Sequence, residues 1–233
     1  MRDEYDGGRG GTSPAALLAE MAVDAAGVDG AAVAVIAGAP LVRELIHSTD
    51  PAATRIDELQ FTIGEGPCLE AFRTREPHLV PDLLDPTASA RWPAFASAVL
   101  EELEVRSVFA FPLAAGESTI GSLELYRTAP GELTVVQHTT AATIAAMIGP
   151  ALVAEVAATS PADEEAGLEH AAAEEFSRAE VHTAIGMLAA RLRIPIDDAA
   201  VRLRGHAYAE SQPISSVARD LMRRVLDPRI LDD

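Results

Sequence analysis

The chain has 233 residues, 18 of them basic and 36 acidic, and a formal net charge of −18 at pH 7. This length allows one large domain, or two of ordinary size, with a real core. Because the excess charge is negative, the molecule as a whole repels nucleic acid and anionic membranes, and any bound polyanion must meet a local basic patch. The single cysteine, Cys68, excludes an intrachain disulfide framework and a Cys-rich metal site.

We expect no targeting signal at the start of the sequence. Residues 1–12 are polar and Gly-rich, and we predict a flexible N-terminus there. The longest uncharged apolar stretch, 139–153, falls short of the roughly 18 residues that a membrane-spanning helix needs. We therefore expect a cytoplasmic protein with no membrane partner.

The first half of the chain alternates between helical and strand patterns. Ser13 and Pro14 are typical of the cap and first residue of a helix, which Gly27 closes. Further helices are predicted at 52–59, 69–74 and 92–103, and strands at 31–37, 41–47, 78–83, 107–113 and 119–126. Five short strands with helices before, between and after them predict an antiparallel sheet flanked by helices, an α+β fold.

A long Ala-rich helix is predicted over 132–158, with four apolar residues repeating along one side: Val136, Ile144, Ile148 and Leu152. A stripe of this kind can hold two helices together, so we expect it to join two copies of the chain. Thr159-Ser160-Pro161 breaks the helix. The acidic stretch that follows, up to 176, is either a solvated helix or a linker.

The composition changes sharply near residue 178. Residues 178–229 carry nine Arg and six acidic residues, a net charge of +3, whereas residues 1–177 carry −19. Ser177 and Glu180 have capping-box spacing, Pro195 ends the first helix, and Asp197 begins a second. Apolar stripes predict three short helices in one bundle: Val181, Ile185, Leu188 and Leu192; Ala199, Leu203 and Ala207; and Ile214, Val217, Ala218, Leu221 and Val225.

The opposite faces of these helices carry six candidate RNA-binding residues: Gly186, Arg193, Arg204, Tyr208, Arg219 and Arg223. Arg binds phosphate bidentately, and an exposed Tyr stacks on an unpaired base, so the set suits single-stranded RNA loops. An interior Gly in a helix costs roughly 1 kcal/mol but permits close approach. The alternative is a solvated Arg-rich face that pairs with the acidic part of the chain.

Two stretches of sequence resemble known modules. Residues 181–226, VHTAIGMLAARLRIPIDDAAVRLRGHAYAESQPISSVARDLMRRVL, resemble the ANTAR module, a three-helix RNA-binding domain of bacterial antitermination regulators. The matching positions are Ala184, Gly186, Ala199, Leu203, Arg204, Ala207, Val217 and Ala218. Upstream, GEGPCLEAF at 64–72, Arg91-Trp92-Pro93 and FPLAAGESTIGSLELY at 111–126 resemble the GAF sensor domain that precedes ANTAR in many actinobacterial regulators.

The resemblance implies an α+β GAF sensor domain over 13–158, an acidic connector over 159–176 and an all-α three-helix ANTAR domain over 177–233. It also implies a cytoplasmic regulator that binds paired RNA hairpins in nascent transcripts and so prevents a terminator from forming. Because paired hairpins require two ANTAR units, we expect a homodimer. A different class of function remains open: a ligand-sensing dimerisation protein whose C-terminal bundle binds a protein and not RNA.

Cys68 raises the question of an enzyme, since some GAF domains reduce methionine sulfoxide. Those enzymes need a resolving cysteine, which this chain lacks, so we expect no catalytic residue. His47, His78 and His138 lack metal-ligand spacing, and no nucleotide motif is present, so we expect no metal and no cofactor. Either four phenylalanines line a pocket for an unidentified small molecule, or they only fill a core: Phe61, Phe95, Phe109 and Phe111.

Overall fold

The computed structural model describes residues 13–37, 42–158, 178–210 and 212–231. The predicted flexible N-terminus, 1–12, and the acidic connector, 159–176, lie outside the described residues. The helices are α1 (Pro14–Ala26), α2 (Pro51–Ile63), α3 (Pro67–Thr74), α4 (Pro86–Arg91), α5 (Pro93–Glu102), α6 (Val135–Ala158), α7 (Arg178–Leu192), α8 (Ile196–Ala209) and α9 (Ile214–Met222). The strands are β1 (Gly30–Ala37), β2 (Val42–Ser48), β3 (His78–Val80), β4 (Ser107–Ala115) and β5 (Ser118–Arg127), and a short 3-10 helix spans Pro228–Leu231.

The five strands form one antiparallel sheet in the order β2-β1-β5-β4-β3, which confirms the predicted α+β fold. The predicted caps of α1 are also present, since Ser13 accepts a hydrogen bond from the Ala16 amide and Gly27 has φ +59°. Several predicted boundaries were wrong, and helix α4 was not expected. Strand β3 stops at Val80, because Pro81 has no amide hydrogen for the ladder, and α2 runs four residues beyond the expected Leu59.

One face of the sheet is covered by α1 and α6. Apolar side chains from these helices and from the strands pack there into one buried cluster. Phe109, Phe111 and Leu125 point into this cluster from the strands. Helix α6 lies so close to β4 that a Cβ on Gly149 would collide with the carbonyl oxygen of Ala114. Within the described residues, α6 is the one helix long and apolar enough to cross a membrane by length and composition, with a mean hydropathy of 1.7. The expectation that no stretch reaches this length was therefore wrong.

The predicted dimer stripe on α6 was wrong in its orientation. Ile144, Ile148 and Leu152 are buried in the domain's own core against α1 and the sheet. Val136, the fourth member, is 73% exposed and lies outside that cluster. The stripe is therefore used for intramolecular packing, because the sheet needs a helical cover on this face.

The other face of the sheet is covered by α2, α3, α4 and α5. The four phenylalanines do not converge on one pocket. Phe109 and Phe111 lie on the α1 and α6 side, Phe95 lies on the opposite side, and Phe61 packs among the C-terminal helices. Of the two alternatives, the structure favours core packing, since neighbouring strands and helices send these side chains to different faces.

The three C-terminal helices pack together around the apolar residues expected from their stripes. Val225 is an exception, because α9 ends at Met222 and this side chain is 74% exposed. Phe61 of α2 is buried in the same cluster as the C-terminal stripes. The helical unit is thus packed onto the α+β domain through α2.

Candidate functional site

A cluster of buried polar side chains lies between the sheet and α2. Arg43 on β2, Asp57 and Gln60 on α2, Glu124 on β5 and Arg178 on α7 are all almost fully buried. The Asp57 carboxylate accepts hydrogen bonds from both guanidinium groups, with Arg43 Nε at 2.8 Å from Oδ1 and Arg178 Nη2 on Oδ2. One carboxylate therefore binds two buried cations from different parts of the chain.

The second half of the cluster surrounds Glu124. Gln60 donates through Nε2 to Glu124 Oε2, and the Cys68 thiol donates to the same oxygen at 3.0 Å. The Gln60 side-chain oxygen accepts a hydrogen bond from the Cys68 amide at 2.9 Å, at the start of α3. Gly66 has φ +140°, and a Cβ there would collide with Gln60, which explains a glycine at this point of GEGP. The motif thus makes room for a polar network under the sheet.

Burial and neighbouring charge act in opposite directions on the two acids. Burial raises the pKa of Glu124 to about 7, and the nearby Asp57 charge adds to the rise. Burial also opposes ionisation of Asp57, but Arg43 and Arg178 outweigh it and hold the pKa of that carboxyl below its usual range. Asp57 is therefore the permanent anion of the cluster, and Glu124 is the group that gains or loses a proton near neutral pH.

The buried thiol of Cys68 has the wrong environment for a nucleophile. Its side chain has no exposed surface, and burial together with the Glu124 charge raises its pKa. Thiols react as thiolates, so a raised pKa makes this group inert at neutral pH. Within the residues that the structure describes, no group of His, Cys, Asp and Glu is arranged to hold a metal ion.

Arg178 joins the C-terminal helices to this cluster. It is the first residue of α7, and besides Asp57 it contacts the Arg43 carbonyl at 3.4 Å. Its guanidinium lies 4.9 Å from the ring centroid of Phe61, whose edge meets His182 of α7. The contact between sensor domain and C-terminal unit is therefore both charged and aromatic.

Arg204 and Arg219 do not occupy the free surface that the helical wheel predicted. Arg204 packs over Gly64, and its Nε lies 3.4 Å from the Phe61 carbonyl oxygen, so it faces the sensor domain. Burial lowers the pKa of Arg204. Arg219 donates to Glu180 of α7 at 3.3 Å.

The other four predicted RNA-binding residues are accessible. Gly186 has open space where a Cβ would stand, Tyr208 is 78% exposed, and Arg193 and Arg223 are exposed. The six residues therefore do not form one uniform face. Tertiary packing divides them into a docked part and a solvent-facing part.

Sequence reasoning missed the whole buried cluster. The alternation of apolar and polar residues in SLELY, 122–126, places Glu124 on the other face of the sheet from Leu123 and Leu125. That face is also covered by helices, and Glu124 is therefore buried. An alternating strand normally has one solvated face, so an acidic residue there is expected in water. Arg178 carried no signal, because its partner Asp57 is 121 positions away.

The comparisons with known proteins agree with this fold. A GAF domain model matches residues 13–153, which is more than half of the chain, and the chain therefore belongs to the GAF domain family. No curated protein matches the sequence significantly.

Solved structures of similar fold include several GAF domains. The GAF domain of a phosphoenolpyruvate-protein phosphotransferase from Acinetobacter has a TM-score of 0.48 and 14% identity, covering 65% of this chain and 89% of that one. The GAF region of a putative membrane protein from Geobacter sulfurreducens has a TM-score of 0.48 and 17% identity, covering 59% and 89%. A domain of a putative two-component sensor histidine kinase from Sinorhizobium meliloti has a TM-score of 0.45 and 18% identity, covering 57% and 83%.

Proposed function

We propose that the protein is an RNA-binding transcription antitermination regulator in which a GAF sensor domain controls a C-terminal ANTAR unit. The observation that carries this proposal is the C-terminal unit itself. Its ANTAR-like apolar positions fill a three-helix core, while arginines at the helix ends stay exposed on an otherwise acidic protein. Local positive charge is what an acidic protein needs in order to bind RNA.

The buried Asp57 is the proposed point of communication between the two units. A GAF domain suggests ligand sensing, and Asp57 belongs to the sensor side while Arg178 belongs to the first helix of the output unit. Any signal that changes the position or charge of the cluster also changes the docking of α7. The signalling ligand is left as an unidentified small molecule.

A homodimer is part of the proposal, because two hairpins require two RNA-binding units. Large apolar side chains remain exposed on α1 and α6 after the core is filled: Leu17, Met21, Met147, Val153 and Val156. Beside them, an apolar groove of about 610 Å³ runs between α6 and the ends of β1 and β5. A second copy packing here would remove this apolar surface from water.

The second candidate function is a ligand-sensing dimerisation protein whose helical unit binds another protein. The observation that favours it is an apolar strip on α8, where Val201 is 67% exposed and Tyr208, two turns later, is exposed beside it. An exposed aromatic next to an aliphatic residue is typical of protein interfaces. Under either candidate we propose a cytoplasmic, non-enzymatic protein; the buried thiol of Cys68 argues against thiol catalysis.

Binding of the full chain to a synthetic RNA with two adjacent hairpins tests the proposal. We expect one dimer per RNA by light scattering, and affinity that falls steeply with salt. Tyr208→Ala should weaken binding by roughly 1 to 3 kcal/mol without changing the salt slope, because stacking is lost and no charge is removed. Tyr208→Phe should retain most of the affinity.

Val201→Ala is the matched control, because it trims the same exposed face of α8 without touching a stacking group. The RNA proposal expects Val201→Ala to bind RNA like the unmodified protein. Absence of RNA binding by the unmodified dimer would refute the proposal, and equal losses of RNA affinity in both variants would show that Tyr208 does not act by stacking on a base.

A further inference from the structure

The nine arginines of the C-terminal unit fall into two groups. Five contact other groups: Arg178, Arg202, Arg204, Arg219 and Arg229. The other four are exposed and form no ion pair with the residues that the structure describes: Arg191, Arg193, Arg223 and Arg224. All four lie at the C-terminal ends of α7 and α9.

A cleft of about 270 Å³ lies between these two helix ends. Arg191 of α7 and Arg224, just after α9, both line it, and one carboxylate, Asp227, is also present. The rest of its wall is largely apolar: Met187, Leu221, Val225, Leu226 and Pro228. The cleft thus combines apolar wall with two guanidinium groups, which is the chemistry that an unpaired nucleotide requires from a protein.

The backbone at two of these arginines is costly for any residue other than glycine. Arg193 has φ +58° and Arg224 has φ +60°, the left-handed conformation that usually ends a helix with Gly. A side chain there adds strain that glycine would avoid. Helix dipoles favour a cation at these ends, but a dipole contact alone does not require an apolar cleft between two arginines.

We propose that this cleft, here called the α7–α9 cleft, receives an unpaired nucleotide of an RNA loop. The base lies against Met187 and Val225, and the flanking phosphates bind Arg191 and Arg224. Arg193 and Arg223 extend the same basic surface along the RNA backbone. This inference rests on the proposed RNA-binding function and adds, at the ends of α7 and α9, a second contact to the one proposed at Tyr208 of α8.

The left-handed arginines allow a test that separates binding from stability. Arg193→Gly and Arg224→Gly each remove a charge while relieving backbone strain, so the fold should be as stable as before or more so. In the two-hairpin RNA assay we expect each variant to bind about tenfold more weakly. The salt slope should fall by about 0.7 for each phosphate that the variant no longer neutralises.

Arg75→Gly is the matched control. Arg75 is exposed and ends α3 with φ +63°. Its replacement by Gly changes the net charge by the same amount as the cleft variants do, but Arg75 lies in the GAF domain, far in sequence from the cleft. We expect its RNA affinity and salt slope to equal those of the unmodified protein. Arg191→Gln, which keeps a polar side chain inside the cleft, should behave like Arg224→Gly.

The outcomes separate the cleft from the function. RNA binding by the unmodified protein with full affinity in all three cleft variants would overturn this inference and leave the proposed function standing. Equal losses in Arg75→Gly and the cleft variants would also overturn it, because they would reflect net charge alone. No RNA binding by the unmodified protein would refute the function, and the cleft's RNA assignment with it; binding of an acidic peptide there would instead assign it to a protein partner.

Discussion

The two faces of the sheet are packed with different chemistry. The face under α1 and α6 is filled mainly by alanines, leucines and phenylalanines, and none of the buried charged residues in the described part of the chain lies there. The face under α2 and α3 contains the buried charged residues Arg43, Asp57 and Glu124. Apolar packing tolerates substitution of similar volume, whereas a buried charge is costly unless its partners are present. The stability of the polar face therefore depends on the position of partners from other parts of the chain, such as Arg178.

The C-terminal helical unit, α7 to α9, contacts only one of these faces through a buried charge. Arg178 reaches Asp57 on the polar side, and Phe61 of α2 enters the core of the helical unit. On the apolar side, the described residues include no buried carboxylate that could pair with such a charge. The comparison indicates that the apolar face holds the domain together and the polar face connects it to the C-terminal helices.

Removal of the shared anion is expected to have the largest effect. Asp57→Ala leaves Arg43 and Arg178 buried without their carboxylate, so we expect the free energy of unfolding to fall by about 3 to 5 kcal/mol. Urea unfolding of the full chain measures this. Asp82→Ala is the control, because Asp82 pairs with Arg106 at a half-exposed site and should cost less than about 1 kcal/mol. Similar decreases in the free energy of unfolding of both variants would show that the buried ion pairs of Asp57 stabilise the fold no more than a surface ion pair does.

Glu124 should give the polar face a pH dependence that the apolar face lacks. Because its folded pKa is raised to about 7 from 4.5, the folded state holds the proton more tightly than the unfolded chain. The contribution of Glu124 to the free energy of unfolding is fully present below about pH 4.5. It is lost as pH rises through about 7, by up to about 1.4 kcal/mol per pH unit. Asp57, with a lowered pKa, loses its contribution only in more acidic solution.

Glu124→Gln removes this titration and keeps the hydrogen-bonding shape. We expect the difference in unfolding free energy between the variant and the unmodified protein to shift in favour of the variant between pH 4.5 and 7.5. Other groups, His78 and His182 among them, titrate alike in both proteins and cancel in the difference. A difference that stays constant across this range would contradict a raised pKa at Glu124.

Two helical glycines give the smallest and most direct contrast. Gly149→Ala on the apolar face should destabilise the protein by about 1 to 3 kcal/mol, since the new methyl meets the Ala114 carbonyl. Gly186→Ala in α7 has open space and should stabilise it by about 0.5 to 1 kcal/mol. Thermal unfolding of the two variants measures both signs. A gain in stability at Gly149 would mean that α6 lies farther from β4 than described.

Prediction from sequence succeeded where the signal is local. The five strands, the caps of α1 and the three C-terminal helices follow from periodicity and from residues such as Ser13, Gly27 and Pro195 within one turn of each boundary. It failed where tertiary packing decides which element a side chain contacts. Ile148 and its stripe were expected at a dimer interface and instead pack on the sheet, and Arg204 was expected at a free face and instead contacts α2.

The sequence by itself determined the order of helices and strands, the division of charge between an acidic sensor part and a basic C-terminal unit, and the GAF resemblance of GEGPCLEAF. Local patterns record these properties, because caps, turns and apolar periods act over a few residues. Only the tertiary structure decided that Asp57 binds both Arg43 and Arg178, and that Arg191 and Arg224 share a cleft. These contacts depend on how separate elements pack, and the energy that selects them comes from burying charge and apolar surface together.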